Sequence, residues 1–135
     1  MVSGGAGGGQ GLNYYNRSKY KSKKVYDGDL VFDSKKEFRR WRELRAMEDA
    51  GEISDLVRQV KYVLIPAAHE PDRIGPRGGI KKGKLIEREC SYIADFGYVR
   101  NGEWIVEDTK GMRTPDYIIK RKLMLFVYGI RIKEI

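Results

Sequence analysis

Residues 89–110 read ECSYIADFGYVRNGEWIVEDTK. Two apolar runs around Asn101-Gly102 predict antiparallel strands, Glu89–Val99 and Glu103–Lys110, joined by a tight hairpin. In the second strand Trp104, Val106, Asp108 and Lys110 alternate onto one face. In the first, Ile93 and Asp95 share a face, and Ala94 and Phe96 take the other. An acid inside such a run is unfavourable unless it is paired or binds a metal. Asp95 and Asp108 lie on neighbouring strands, and two carboxylates held close repel unless a cation sits between them. Two acids and a lysine are what a divalent-metal phosphodiesterase site needs: the acids hold a hard cation, and the lysine orients water and offsets phosphate charge. The spacing leaves a second reading open, in which Lys110 pairs with a carboxylate in a surface ion-pair ladder.

On the N-terminal side, Asp33-Ser34 starts a helix over 34–50. Phe38, Trp41, Leu44 and Met47 form its apolar stripe, and Gly51 stops it. Ser34 and Glu37 have capping-box spacing. Glu37 also borders the buried stripe, so it stands both as a cap and as a further carboxylate near the cation. Val57–Ile65 is a strand ended by Pro66. Within it Gln59 shares a face with Lys61 and Val63; it binds a water or phosphate, or satisfies a backbone group. Residues 67–84 are rich in Gly and Pro and carry Arg73, Arg77, Lys81, Lys82 and Lys84, which predicts a long basic loop, functional or disordered. On the C-terminal side, Thr114-Pro115 caps a helix over 115–128 with Ile119, Leu123 and Phe126 on its buried stripe. Gly129 ends it, and Ile130–Lys133 alternates as a last strand. The order αβββαβ predicts an α/β domain, a mixed central sheet flanked by helices.

Lys and Arg number 27 against 19 acids, for a formal charge of +8 and a pI near 9.6. A small domain this basic usually meets a polyanion. Residues 1–12 form a flexible Gly-rich tail, and no Gly-Lys-Ser/Thr follows to make a phosphate loop. Residues 13–135 form one domain. Its arm, 13–26, interleaves Arg17, Lys19, Lys21, Lys23 and Lys24 with tyrosines, which suits a phosphate backbone and stacked bases. On the second helix Lys120 is the cation assigned to a backbone contact, beside the alternative of a solvated face. Cys90 is the sole cysteine and His69 the sole histidine. The single cysteine excludes an intrachain disulfide and a Cys-rich zinc site, and the single histidine, in a Pro-flanked loop, argues against a His-based metal site or a Ser-His triad. No apolar run reaches membrane-spanning length and no signal-peptide core is present, so a cytoplasmic protein without membrane partners is expected.

With Asp95, Asp108-Thr109-Lys110 and this element order, the chain resembles the PD-(D/E)xK nuclease superfamily. Asp95 matches the first acid, with Ala94 where a proline often stands. Asp108 and Lys110 match the second acid and the lysine, and Glu37 the helical acid. Stretches such as Gly28–Phe32, Ala50-Gly51-Glu52-Ile53 and Arg58-Gln59 look like a family of small phage and prophage proteins. That family was long catalogued as a domain of unknown function and is related to Holliday-junction-resolvase-like endonucleases. The resemblance covers about residues 17–135. It implies a restriction-endonuclease-like core and a Mg²⁺- or Mn²⁺-dependent DNA endonuclease acting on branched or structured DNA in phage DNA processing. Asp95, Asp108 and the Thr109 carbonyl would ligate the metal, Glu37 would hold a second metal or its water, and Lys110 would act on the attacking water. The implied products are 5′-phosphate and 3′-hydroxyl ends, and the implied assembly a homodimer. Gln59, Lys19, Lys21, Lys81, Lys82 and Lys120 are the expected DNA contacts. The competing expectation is a non-catalytic nucleic-acid-binding module built on the arm and the basic loop.

Overall fold

A computed structural model describes residues 23–135. The Gly-rich tail and Arg17, Lys19 and Lys21 of the basic arm lie outside the described residues. The chain divides into two compact units, Met1–Arg42 and Glu43–Ile135.

In the first unit, β1 (Val25–Asp27) and β2 (Leu30–Phe32) form an antiparallel hairpin, which the sequence pattern did not reveal. The helix α1 (Lys35–Asp49) begins in this unit. Phe32 is fully buried, with its ring edge-on to Phe38 at 5.1 Å and tilted against Trp41 at 6.1 Å. These contacts fix the helix against the hairpin. The cap forms as expected at one end: Ser34 Oγ accepts from the Glu37 amide at 3.1 Å. Glu37 Oε1 reaches one residue further back than a standard box and accepts from the Asp33 amide at 3.0 Å.

The second unit is built on a four-stranded mixed sheet, in the order β10-β9-β8-β3. Strands β3 (Ser54–Ile65), β8 (Cys90–Arg100) and β9 (Glu103–Asp108) are antiparallel neighbours. Asn101 and Gly102, with φ of 52° and 78°, make the expected hairpin turn. The helix α2 (Pro115–Leu123) is capped by the Thr114 hydroxyl, which accepts from the Tyr117 amide. It continues as one π-helical turn, Met124–Tyr128, and ends at Gly129. Helix α2 then crosses to β10 (Lys133–Glu134), which pairs parallel with β9. The last strand is thus shorter and later than the alternation of 130–133 suggests; Ile130 and Ile132 pack on the core instead. The α/β class with a mixed central sheet and two helices is as expected.

Two features depart from the sequence pattern. The buried positions of the second helix are Tyr117 and Met124, with Leu123 partly covered. Ile119 and Phe126 are exposed, Phe126 by 86%. The π turn widens the helix beyond 3.6 residues per turn, so the phase read from the apolar residues slips at its end. Residues 67–84 are also not an irregular loop. Strand β4 (Ala68–His69) pairs with β7 (Leu85–Glu87), and β5 (Arg73–Ile74) pairs with β6 (Ile80–Lys81). Strands of two or three residues are too short for alternation to mark them. No helix among the described residues is long and apolar enough to cross a membrane.

The core of this unit gathers Leu64, Tyr92, Ala94, Val106, Tyr117 and Met124. The Trp104 ring packs against Gly97, where a Cβ would fall 2.4 Å from the indole ring. From there its Nε1 donates to the Tyr62 hydroxyl at 2.7 Å. The Tyr62 ring in turn meets Tyr128 at 5.3 Å. Gly97 is therefore required by close approach of the ring, not by backbone freedom.

Candidate active site

The hairpin register determines which side chains share a face. Phe96 pairs with Glu107 and Gly97 with Val106. Residues directly opposite point to the same side, so Gly97 lies on the face of Val106, and Phe96 lies on the other. Simple alternation would then place Tyr92 and Ala94 with Phe96. Both instead pack with Val106 and Tyr117. The alternation therefore reverses near Asp95. Opposite Asp95, between the pairs Arg58–Phe96 and Val60–Ala94, stands Gln59 with φ of 55°. Gln59 thus marks the place of the reversal on the neighbouring strand; a left-handed residue other than glycine costs about 1–3 kcal/mol. The reversal brings Tyr92 onto the side where Asp108 lies.

Asp108 closes β9 and is 3% exposed. Its backbone carbonyl accepts from the Ile135 amide at 3.0 Å, so the last strand holds it in place. The Tyr92 hydroxyl donates to Asp108 Oδ2 at 2.5 Å, and Lys110 Nζ lies 3.2 Å from the same oxygen. Lys110 also sits 4.2 Å from the centre of the Tyr117 ring. A cation over a ring face is attracted by its quadrupole, which aims the ammonium at Asp108. Asp95 is held from the next strand: its Oδ2 accepts from the Thr109 amide at 2.8 Å and from the Thr109 hydroxyl at 2.6 Å.

Burial pushes the Asp108 carboxyl up to about 7, and the hydrogen bond and negative charge of neighbouring Asp95 add to the rise. The Tyr92 hydroxyl and Lys110 oppose it. The Asp108 carboxyl is therefore the one that takes up a proton near neutral pH. The Tyr92 phenol is itself held well above its ordinary range, by burial first and then by Asp108, so it donates at any physiological pH.

The structure thus brings together Asp95, Asp108, Thr109 and Lys110. Glu37 belongs to the first unit, where its carboxylate closes the helix cap. Among the described residues no group of three or more His, Cys, Asp and Glu side chains is placed to hold a metal ion. The acidic donors here are the pair Asp95 and Asp108. A pair suits a Mg²⁺-like cation, which takes few protein oxygens and keeps several waters. The Thr109 carbonyl is a third oxygen of the right chemistry, and the negative charge that Asp95 sets beside the Asp108 carboxyl favours a cation there.

Gln59 is exposed at the reversal rather than simply sharing a face with Lys61 and Val63. Lys120 is half-buried on α2, and Lys81 and Lys82 are exposed on the paired segment 68–87. Tyr92 and Tyr117 were not legible as site residues. Alternation puts Tyr92 on the face opposite Asp95, and no local residue pattern in its strand signals the reversal. Glu107, the other acid of β9, is also fully buried. It accepts from the Tyr98 hydroxyl and lies 3.9 Å from Lys133 Nζ.

Beside Lys110 opens a hollow of about 270 Å³, lined by Lys110, Gly111, Met112, Arg113, Glu134 and Ile135. Glu134 forms its acidic wall and is tied to Arg113 at 2.6 Å and to the Tyr117 hydroxyl at 2.7 Å. Arg113 and Tyr117, bonded to its oxygens, hold the Glu134 carboxyl down at about 2.

A family model described as "Protein of unknown function (DUF1064)" matches residues 17–133. No curated protein and no solved structure matches the chain.

Proposed function

We propose that this chain, which belongs to the DUF1064 family of proteins of unknown function, is a metal-dependent DNA endonuclease. The observation that carries the reading is the meeting of half-buried Asp95 with buried Asp108, with Lys110 Nζ 3.2 Å from Asp108 Oδ2. In this reading Asp95, Asp108 and the Thr109 carbonyl would hold Mg²⁺ or Mn²⁺. The bound ion would supply Lewis-acid polarisation of the phosphodiester and a more acidic water.

The side chains divide the remaining work. Tyr92 and Thr109 fix the two carboxylates in place by donating to them. Lys110, steadied over Tyr117, orients the attacking water by hydrogen bonding and offsets charge on the phosphate. The hollow beside it leaves room for a phosphodiester. Glu37 acts as a helix cap in this scheme. The charge of +8 draws the polyanion.

Branched DNA is the proposed substrate, and a homodimer the proposed assembly, because a symmetric junction needs two cuts. Cytoplasmic action, in the host cell if the chain is phage-encoded, belongs to the same proposal. The competing reading is a binding module in which Asp108 and Lys110 form only an ion pair. Cleavage of a four-way junction by wild type and Asp108→Asn, with Mg²⁺ and with EDTA, separates the two. The endonuclease reading requires metal-dependent cutting that the variant loses.

A further inference from the structure

Beyond the last pairing of β3 with β8, at Ile65 and Cys90, the chain leaves the sheet and returns as one two-stranded ribbon. A backbone bond from the Glu70 amide to the Lys84 carbonyl, 2.8 Å, joins its lower and upper halves. Gly83 packs so closely there that a Cβ would fall 1.7 Å from the Glu70 carbonyl oxygen. The Gly83 amide also donates to Asp72 Oδ1 at 2.9 Å. At the tip, Gly75 and Gly79 close the turn by a 2.7 Å backbone bond. The ribbon is thus a built element, yet from Ile65 to Glu89 every residue except Gly75 and Gly83 is exposed.

Its outer half places Arg73 opposite Lys81 and Ile74 opposite Ile80. The two pairs point to opposite faces. Like charges directly opposite are unfavourable. Ile74 and Ile80, 78% and 81% exposed, bury almost nothing within this chain. Both pairs are better satisfied by a partner that is anionic and also offers an apolar slot. Arg77 at the turn, with Lys82, Lys84 and Arg88, adds to the positive charge.

We infer that this ribbon is a duplex-DNA clamp: Ile74 and Ile80 insert as a wedge between base steps, and Arg73, Arg77 and Lys81 hold the flanking phosphates. Two-stranded ribbons are known DNA readers that use the minor groove as well as the major. Apolar wedges in the minor groove unstack a step and bend the duplex. The long stems of Arg73 and Lys81 carry their charges round to the groove rims. Two isoleucines offer too little apolar area to anchor a membrane, so a lipid surface is the disfavoured partner. The inference deepens the nucleic-acid half of the proposed function and does not depend on cleavage.

The test is run in EDTA, so that cleavage plays no part. Binding and bending of a short duplex labelled at both ends are read by anisotropy and by energy transfer. Wild type is expected to bend the duplex. Ile74→Ala/Ile80→Ala should bind within a few-fold of wild type but leave the duplex straight. Arg73→Ala/Lys81→Ala should weaken binding about tenfold and reduce the salt slope by about 2. All four side chains are exposed, so unchanged melting curves confirm that folding is intact. Wild-type binding without bending, bending retained by the isoleucine variant, or affinity retained by the basic variant would overturn the inference. Anionic phospholipid vesicles that displace the duplex from the ribbon would overturn it as well. Loss of cutting in Asp108→Asn leaves these readouts untouched, so the two proposals fail separately.

Discussion

The Tyr92 hydroxyl donates to Asp108 Oδ2 at 2.5 Å across sixteen residues of sequence. The bond works against the burial and the Asp95 charge that push the Asp108 carboxyl up. Tyr92→Phe removes the donor and leaves a buried carboxyl oxygen less satisfied. Stability should fall by about 1–3 kcal/mol, and Mn²⁺ should bind about tenfold more weakly. Urea melts and calorimetric Mn²⁺ titration read these separately. Metal affinity equal to wild type would remove Tyr92 from the site.

The raised Asp108 carboxyl makes stability depend on pH. Its ordinary value is 3.8 and its folded value about 7. Between these the folded state binds more protons than the unfolded chain, so stability falls as pH rises through that window and levels off above it. In EDTA the melting temperature should therefore be lower at pH 8 than at pH 5. Mg²⁺ at pH 8 should restore it. Asp108→Asn should flatten this part of the profile and melt above wild type at pH 8 in EDTA. An Asp108→Asn profile that falls as steeply as the wild-type one would show that the carboxyl pair is not the cause.

Gly97 carries the Trp104 ring, and Trp104 carries Tyr62. Gly97→Ala would set a methyl group 2.4 Å from the ring. The ring must move and the 2.7 Å bond to the Tyr62 hydroxyl must break. A loss of about 1–3 kcal/mol follows, with a red-shifted indole emission. An unshifted spectrum would mean that the ring does not lie across the glycine.

Gly83→Ala acts on the ribbon alone. Its methyl group would overlap the Glu70 carbonyl, so the Glu70–Lys84 backbone bond is lost. Hydrogen exchange in 68–87 should rise while β8 and β9 keep their protection. Duplex bending should be lost along with it. Unchanged protection of the Glu70 amide would contradict this geometry.

Much of the architecture was legible because its signals are local. Asn101-Gly102 requires the positive φ values of a hairpin turn, Ser34 and Glu37 form a cap, and Thr114-Pro115 starts a helix. The carboxylate pair was legible because a hairpin turn relates Asp95 and Asp108. What stayed hidden depends on single residues that break a period. Tyr92 reaches Asp108 from a face that simple alternation denies it, where Gln59 on the neighbouring strand takes a positive φ. The π turn at Met124 shifts the phase of the second helix and exposes Phe126. The ribbon is written in pairs such as Arg73–Lys81 and Ile74–Ile80, which are too short to show as strands and become visible only in register.

The most direct test of the central claim is cleavage of a panel of linear, forked and four-way DNA by wild type and by Asp108→Asn, with Mg²⁺ or Mn²⁺ and with EDTA. The account predicts metal-dependent cutting, strongest on the four-way junction, that falls by about a thousandfold or more in the variant. No cutting by wild type of any substrate with either metal, or equal cutting by Asp108→Asn, would contradict it.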